Sequence, residues 1–240
     1  MSLKKYDSLP EFMKNKELRE YYDILSKRKG QLVLKRLVDI IGGAIGTIVL
    51  SPVMLVLAIV IKFESKGPAL FKQVRVTQYG KEFKILKFRT MVVNAEKLGT
   101  QVTSKDDPRV TKVGKFLRKY RLDELPQIIN ILKGELSFVG TRPEVPRYVS
   151  RYTDDMIATL LLPAGVTSEA SIEFKDEEKI LDNSSNVDDD YVYKVLPLKM
   201  KYNLGYIKQF TVLYDFKVML RTVGAVLGLE ENKSNSVNHK

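Results

Sequence analysis

The chain has 240 residues, of which 44% are hydrophobic, enough to build a folded core and too many for a disordered tail protein. Its formal net charge of +11 indicates a polyanionic partner or surface, such as nucleic acid, anionic lipid or a phosphorylated substrate. The lack of cysteine excludes disulfides, thiol nucleophiles and cysteine-rich zinc sites. The single histidine, His239, argues against a Ser-His-Asp triad or a His-ligated metal, so chemistry must use carboxylates, Lys, Arg, Tyr or Ser.

Residues 1–34 alternate charged and apolar groups around a predicted short helix, and we interpret them as a surface extension. The next segment, 35–66, contains 22 uncharged residues, 40–61, a length that can enter a bilayer. Lys and Arg border this stretch on both sides, and juxtamembrane basic residues mark the cytoplasmic side. Both ends are therefore predicted to be cytoplasmic, and the segment is predicted to remain in the mature protein.

The pair Ser51-Pro52 interrupts the apolar stretch. Pro52 lacks the helical donor and crowds the carbonyl of Ile48, so we predict a bend, with the Ser51 hydroxyl occupying the stranded acceptor. The two arms, of 11 and 9 residues, would be about 16 and 14 Å long, and neither spans a hydrocarbon core of about 30 Å. These features favour a re-entrant helix, with a Pro-kinked transmembrane helix as the alternative.

After Gly67-Pro68, two β-rich runs, 69–77 and 81–89, flank Gln78-Tyr79-Gly80 and predict a β-hairpin. Lys87 and Arg89 fall on one face of the second strand, which indicates either an anionic ligand or a solvated face. A strongly basic helix is predicted over 113–120, and a second helix over 127–133.

The C-terminal part, 197–228, has apolar residues at helical spacing and predicts an amphipathic segment that lies in the membrane interface or packs on the domain. An acidic run, 176–190, carries seven carboxylates against Lys179. The tail 229–240 is polar and predicted to be mobile.

Asp123 and Glu124 are the candidate catalytic residues. They lie between the basic helix and Pro126, at a predicted helix start, and a helix N-terminus with neighbouring cations favours an ionised carboxylate. Arg142 follows in a rigid Thr141-Arg142-Pro143 turn and can hold a phosphate bidentately. Adjacent acidic residues are also common on surfaces, where they are solvated or cap helices.

Carboxylates among phosphate-binding cations suggest a Mg²⁺-dependent phosphoryl-transfer site. Neither a G-x-x-x-x-G-K-[ST] loop nor a G-x-G-x-x-G motif occurs, so P-loop and Rossmann nucleotide sites have no support.

Several short motifs follow one another in an order that resembles the monotopic polyprenol-phosphate phosphoglycosyl transferases, a family of bacterial sugar transferases. The resemblance covers about residues 35–142. The matching motifs are Lys35-Arg36-Leu37-Val38-Asp39-Ile40, Ser51-Pro52, Gly67-Pro68, Gln73-Val74-Arg75, Lys87-Phe88-Arg89-Thr90-Met91, Asp107-Pro108-Arg109-Val110-Thr111, Asp123-Glu124-Leu125-Pro126-Gln127 and Gly140-Thr141-Arg142-Pro143.

The resemblance implies an α+β, monotopic membrane protein: a bent re-entrant helix (35–66), a β-hairpin and amphipathic interfacial helices around a small cytosolic catalytic domain (67–228). It also implies transfer of a sugar-1-phosphate from a UDP-sugar to polyprenol phosphate, with release of UMP, at the cytoplasmic face of the inner membrane. The product would start a surface glycan or glycoconjugate.

The family's residue roles carry over by matched position. Asp123 would be the nucleophile that forms a phosphosugar-aspartyl intermediate, and Glu124 would help to hold Mg²⁺ or handle protons, with Asp123 as a second metal contact. The predicted phosphate ligands are Lys87, Arg89, Arg118 and Arg142.

The chain departs from the common family pattern at three places. Thr77 replaces a Gly, Thr141 replaces a Pro, and the run 162–169 replaces Lys-Pro-Gly-Ile-Thr-Gly. The last region is expected to shape the nucleotide-sugar pocket, so the sequence does not identify the sugar.

Two other functions are weaker alternatives. A polybasic, non-enzymatic membrane adaptor would explain the charge and the apolar stretch but not the enclosed carboxylate pair. Nucleic-acid binding has only the basic balance in its favour, so no nucleic-acid partner is expected. The oligomeric state, including a homodimer, is not determined by the sequence.

Overall fold

A computed structural model of the chain describes residues 3–95, 107–174 and 187–227. Within these ranges, helices dominate and four short strands form two separate two-stranded sheets, which confirms the predicted mixture of helix and sheet. The helices are α1 (Lys16–Ser26), α2 (Lys29–Glu64), α3 (Lys112–Lys119), α4 (Gln127–Lys133), α5 (Pro146–Val149), α6 (Glu169–Glu173), α7 (Val187–Asp190), α8 (Leu196–Gln209) and α9 (Val212–Val226). The strands are β1 (Leu70–Val76), β2 (Glu82–Phe88), β3 (Leu136–Val139) and β4 (Ala164–Thr167).

Helix α2 contains the apolar stretch and carries Pro52 in its interior. The Ser51 hydroxyl donates to the carbonyl of Ile48 at 2.9 Å, so the acceptor stranded by Pro52 is occupied as predicted. By length and composition, α2 is the one helix among the described residues that could cross a membrane. The bend and the re-entrant path stay predictions.

The amino-terminal half of α2 is fixed by buried polar contacts. The ammonium of Lys35 donates to the carbonyl of Val139 at 2.8 Å and to the carboxylate of Asp215 at 2.6 Å. Asp39 accepts a hydrogen bond from the Ser137 hydroxyl at 2.9 Å. Because a buried charge is tolerated only with partners, these contacts define one orientation of α2 against β3 and α9.

The rest of α2 packs through small and apolar residues. A methyl group added at Gly46 would lie 2.5 Å from the Cδ1 atom of Ile128 in α4, so α2 and α4 pack closely at this glycine. Farther along, Ile61 is buried with Phe88 of β2 and Leu117 of α3. Both halves of α2 therefore rest on the same folded unit.

The N-terminal residues form part of the main core. Leu9, Met13, Leu18 and Leu25 are buried and cluster with Phe210, the residue directly after α8. The predicted short helix is confirmed by α1, but the predicted surface position is wrong. Helical spacing identifies an apolar face, whereas only the folded chain shows what covers it.

Strands β1 and β2 form the predicted hairpin. They pair antiparallel, with Leu70 opposite Phe88 and Val76 opposite Glu82. The predicted basic helix is α3, which packs tightly on the residue after the hairpin: a methyl group at Gly114 would lie 2.1 Å from the carbonyl oxygen of Thr90.

Strand β3 pairs in parallel with β4, a strand that the sequence analysis did not predict. Leu136 lies opposite Ala164, and Val139 lies opposite Thr167. The strand β4 has only four residues, too few for an alternating pattern. This pair positions the segment after β3, which contains Arg142.

The predicted amphipathic segment at 197–228 folds as two helices, α8 and α9, rather than one. In α9, Val212, Asp215 and Val218 are buried, while most of the apolar side chains between and after them are exposed. The exposed ones are Leu213, Phe216, Leu220, Val223, Val226 and Leu227. The tail 229–240 and the part of the acidic run at 176–186 lie outside the described residues.

Candidate active site

Asp123 and Glu124 lie in a single helical turn, Leu122–Glu124, just before α4. Arg121, which precedes the turn, has a φ of 56°, a left-handed conformation that is uncommon and costly for a residue with a side chain. Pro126 follows, with the φ that suits a helix start. The sequence therefore forces a sharp change of direction around the two carboxylates.

Three cations surround Glu124. Its Oε1 atom accepts hydrogen bonds from Nζ of Lys87 at 3.0 Å and from the guanidinium of Arg142 at 2.7 Å. A nitrogen of Arg121 lies 3.9 Å from the same oxygen. Charge-assisted hydrogen bonds of this kind are the strongest in proteins. Strand β2, the turn after β3 and the Asp-Glu turn are thus joined at one carboxylate.

The ionisation of this cluster is set by burial and by mutual charge. Burial alone would raise the pKa of Glu124, but Arg142 and Lys87 outweigh it and hold that pKa well below its usual range. Burial lowers the pKa of Lys87, and Glu124 opposes that shift while Arg142 adds to it. Glu124 is therefore an anion at neutral pH, and its partners leave an excess of positive charge beside it.

Asp123 has a different environment. Its side chain is buried, and no group in the described parts of the chain makes a hydrogen bond to its carboxylate. Burial raises the pKa of Asp123, Lys87 opposes this, and Glu124 adds to it. The cations act in the direction that the sequence predicts, but burial outweighs them. An anion with few hydrogen bonds keeps its lone pairs available for attack.

The remaining predicted phosphate ligands are Arg118 and Arg89, and their side chains contact different parts of the protein. Nε of Arg118 donates to the hydroxyl of Thr90 at 2.9 Å, and its charge lowers the pKa of Asp123. Arg89 donates instead to the carbonyls of Ser65 at 2.7 Å and Lys66 at 3.0 Å, where α2 ends.

Strand alternation does not determine the direction of Arg89. It lies one residue beyond β2, where the pleat no longer fixes on which side a residue points. Lys87, inside the strand, reaches Glu124. The structure therefore brings Lys87 and Arg142 to Glu124, and it places Arg89 at the end of α2.

Asn130 is a positioning residue that the sequence analysis missed. It is fully buried in α4, accepts a hydrogen bond from the backbone N–H of Leu86 at 3.0 Å and donates to the carbonyl of Lys84 at 3.0 Å. These bonds tie α4 to the strand that carries Lys87. The signal was a lone amide within the apolar run Ile128-Ile129-Asn130-Ile131-Leu132.

The turn that carries Arg142 is attached to β4. The carbonyl of Thr141 accepts a hydrogen bond from the N–H of Gly165 at 2.9 Å. A methyl group at Gly165 would lie 2.1 Å from the nitrogen of Gly140, so this approach requires glycine. The run 162–169, where the chain departs from the family pattern, therefore contacts the backbone of the turn that carries Arg142. Its predicted effect on the sugar pocket stays a prediction.

Thr77, a second departure, is part of the same region. Its hydroxyl donates to the carbonyl of Glu135 at 2.7 Å and accepts from the N–H of Ala164 at 3.1 Å. It thereby links the end of β1 to the start of β4. A glycine at this position could make neither bond, so the two departures are structurally related.

The carboxylate pair has a donor set that fits magnesium. Mg²⁺ takes oxygen ligands, often one or two carboxylates together with substrate phosphates. The carboxylate of Asp123 accepts no hydrogen bond from the described residues, and Lys87 and Arg142 contact Oε1 of Glu124, which leaves Oε2. Within the described ranges, no group of three or more His, Cys, Asp or Glu side chains gathers, so phosphates and water would complete the coordination.

Comparison with known proteins identifies the family. A family model described as bacterial sugar transferase matches residues 30–229. The chain is 35% identical over 198 residues to the UDP-N-acetylgalactosamine-undecaprenyl-phosphate N-acetylgalactosaminephosphotransferase of Aeromonas hydrophila, covering 81% of this chain and 44% of that protein.

Two further relatives carry other sugars in their names. The undecaprenyl-phosphate galactose phosphotransferase of Salmonella typhimurium is 33% identical over 218 residues, which is 85% of this chain and 42% of that protein. The UDP-glucose:undecaprenyl-phosphate glucose-1-phosphate transferase of Caulobacter vibrioides is 33% identical over 196 residues, 80% of this chain and 69% of that protein.

The chain spans less than half the length of two of these three relatives. The shared part is the part that contains the Asp-Glu turn, the hairpin and the apolar helix, since the family model extends over all of them. The chain therefore belongs to the bacterial sugar transferase family.

Proposed function

We propose that the protein transfers a sugar-1-phosphate from a UDP-sugar to polyprenol phosphate, releases UMP and so begins a membrane-bound glycan. The observation that carries this proposal is the pair of unlike carboxylates. Asp123 is buried and without a hydrogen-bond partner in the described residues, while its neighbour Glu124 is held by Lys87 and Arg142. This arrangement combines a nucleophile with fixed positive charge for phosphates.

In the first step, a carboxylate oxygen of Asp123 attacks the β-phosphorus of the UDP-sugar. A bond forms between that oxygen and phosphorus, the bond from phosphorus to the bridging oxygen breaks, and UMP leaves with the electron pair. In the second step, an oxygen of polyprenol phosphate attacks the same phosphorus. The aspartyl bond breaks, the carboxylate is regenerated, and the product is a polyprenol diphosphate sugar.

The surrounding residues stabilise the charge that moves during these steps. Lys87 and Arg142 are already fixed by Glu124, so little reorganisation is needed when the phosphate oxygens arrive. Arg118 contributes positive charge near Asp123. A Mg²⁺ ion bound by Glu124 and Asp123 would neutralise part of the diphosphate charge.

The placement of α2 supports a re-entrant path rather than a full crossing. Asp39 and Ile61 are both buried against the folded unit, although about 33 Å of helix separates them at 1.5 Å per residue. If α2 crossed the bilayer, this unit would have to extend through the hydrocarbon core beside the helix. The backbone N–H and C=O groups of its loops would then lack hydrogen-bond partners. Insertion into one leaflet from the cytoplasmic face avoids that cost.

The exposed apolar face of α9 supplies a second contact with the same leaflet. Leu213 and Leu220 are 80% and 74% exposed, and Lys217 lies between them along the helix. Such a helix gains from burial in the interface and from anionic headgroups. This contact would keep Asp123 at the level of the polyprenol phosphate on the cytoplasmic side of the inner membrane.

The function is tested with purified protein, undecaprenyl phosphate and a panel of UDP-sugars, with UMP release and labelled lipid as readouts. We expect one or a few sugars to give both products, and addition of EDTA to abolish them. No product with any sugar, or full activity in Asp123→Asn, would contradict the proposal. A lack of product with every sugar would favour a non-enzymatic adaptor, whereas full activity in Asp123→Asn would exclude Asp123 as the nucleophile.

The covalent intermediate has its own signature. Without polyprenol phosphate, the enzyme should release about one UMP per active site and then stop, because the aspartyl-bound phosphosugar has no acceptor. Ping-pong kinetics should appear when both substrates are varied. Strictly sequential kinetics together with no UMP burst would exclude the aspartyl intermediate while leaving the overall transfer intact.

A further inference from the structure

A buried polar cluster lies two residues after Arg142 and has no role in the mechanism above. Glu144 is buried, and its carboxylate accepts a hydrogen bond from the hydroxyl of Tyr191. Two cations face it: Nζ of Lys199 at 3.9 Å and the guanidinium of Arg75 at 3.8 Å. Nζ of Lys199 also donates to the Tyr191 hydroxyl at 3.1 Å. The cluster joins β1, the turn after β3 and the start of α8.

The same cluster holds the backbone of the turn. The guanidinium of Arg75 donates to the carbonyl of Pro143 at 3.0 Å, and the N–H of Val76 donates to the carbonyl of Glu144 at 2.9 Å. On the other side, Thr141 is bonded to β4 as described above. Arg142 is therefore the centre of a short segment whose two ends are both fixed by hydrogen bonds.

A small cavity borders the turn, and residues 141–144 line it together with Thr159 and Leu160. Side chains next to a cavity lack part of the contacts that immobilise a close-packed core. The polar bonds of Glu144 therefore carry more of the positioning than they would in a filled interior.

We infer that Glu144, Tyr191 and Arg75 are positioning residues for Arg142, an inference that rests on the proposed function. They fix where the guanidinium of Arg142 lies when the donor phosphates arrive. Removal of the Glu144 charge would also leave Arg75 beside Arg142 without its counter-ion: burial lowers the pKa of Arg75, Glu144 opposes that shift and Arg142 adds to it. The turn that carries Arg142 would then move away from Asp123 and Glu124.

The test uses Tyr191→Phe, which deletes one hydroxyl and keeps the ring. We expect kcat/KM for the UDP-sugar to fall by about 10- to 100-fold, the usual effect of a displaced charged ligand in a transition state. Tyr193→Phe is the matched control, because Tyr193 lies two residues away and is 66% exposed. It should keep wild-type kinetics and the same melting temperature.

A double-mutant cycle separates positioning from general damage. In an Arg142→Ala background, Tyr191→Phe should have no further effect on kcat/KM, nor on the Kd for UDP measured by equilibrium binding. The binding measurement completes the cycle if Arg142→Ala turns over too slowly. Glu144→Gln should give the same pattern, with a larger single-mutant effect.

The outcomes are distinct. Full additivity of Tyr191→Phe and Arg142→Ala in either readout, or wild-type kinetics in Tyr191→Phe, would overturn the inference. Absence of turnover by the wild-type protein with every UDP-sugar would instead count against the proposed function.

Discussion

Adjacent residues in this site have opposite electrostatic roles. Burial raises the pKa of Asp123, whereas the cations around Glu124 hold its pKa well below the usual range. The difference arises because Lys87 and Arg142 donate to Glu124 and not to its neighbour. Two carboxylates one residue apart can thus serve as a nucleophile and as a fixed anchor for cations.

Asp123→Asn should lower kcat for the transfer by on the order of 10³-fold or more. The same change should stabilise the fold at neutral pH. A carboxylate whose pKa is raised in the folded state destabilises that state above the raised pKa. The melting temperature at pH 7 should therefore exceed that of the wild type.

The pH dependence provides the check on Asp123→Asn. The advantage of the variant should shrink as the pH falls through the raised pKa, and vanish below the unfolded value of 3.8, where Asp123 is protonated in both states. An advantage that is the same at all pH values would contradict the electrostatic explanation.

Glu124→Gln should have the opposite effect on stability. It removes the shared acceptor of Lys87 and Arg142, and breaking a buried pair costs about 3 kcal/mol. The lowered pKa of Glu124 stabilises the fold above the unfolded value, and this contribution is lost as pH falls through the folded pKa. Urea unfolding at pH 7 and at acid pH measures both effects, and a Glu124→Gln protein as stable as wild type at pH 7 would refute them.

At the scale of elements, glycines allow close contacts between the helices and strands that carry the site residues. In α3, Gly114 faces the carbonyl of Thr90, which is backbone and cannot move aside as a side chain can. Helix α3 packs against Thr90, close to the end of the strand that carries Lys87, and it leads directly into the turn that carries Asp123. The packing of α3 therefore helps to position Asp123 relative to Lys87. The sequence shows a glycine in a helix; the contact that requires it is visible only in the fold.

Gly114→Ala should therefore destabilise the protein by several kcal/mol, because the new methyl would lie 2.1 Å from a carbonyl oxygen. Gly205→Ala is the matched control: Gly205 lies within α8, with nothing within 4 Å of an added methyl. That change should stabilise by about 0.5 to 1 kcal/mol through helix propensity. Thermal melts of both variants compare the two, and equal effects would show that the contact with Thr90 is unimportant.

On the scale of the whole molecule, one side of α2 rests on the folded unit and the other is apolar and exposed. Its exposed residues include Ile41, Ile45 and Ile48. The unit therefore lies along the helix instead of at one end of it. In the proposed topology, this geometry would keep the carboxylates close to the membrane surface, where the phosphate of the lipid acceptor is expected.

Labelling of single cysteines tests this topology, since the chain has none of its own. Gly30→Cys and Lys66→Cys lie near the two ends of α2, and both positions are exposed. We expect an impermeant maleimide to label both from the cytoplasmic side of inverted membrane vesicles and neither in intact spheroplasts. Labelling of the two sites from opposite sides would show that α2 crosses the bilayer.

The sequence by itself determined the features that depend on local pattern. The hairpin at 69–89, the Pro126 start of α4 and the Ser51 hydrogen bond to Ile48 follow from alternation, fixed φ and a missing donor. The motif order identified the family, and the family model confirms it.

Tertiary structure alone decided what depends on contacts between distant segments. It placed the N-terminal residues in the core, turned Arg89 to the end of α2, and separated the electrostatics of Asp123 from those of Glu124. The physical reason is that burial and hydrogen-bond partners are properties of position in space. A residue's chemistry is written in the sequence, but its desolvation and its neighbours exist only after folding.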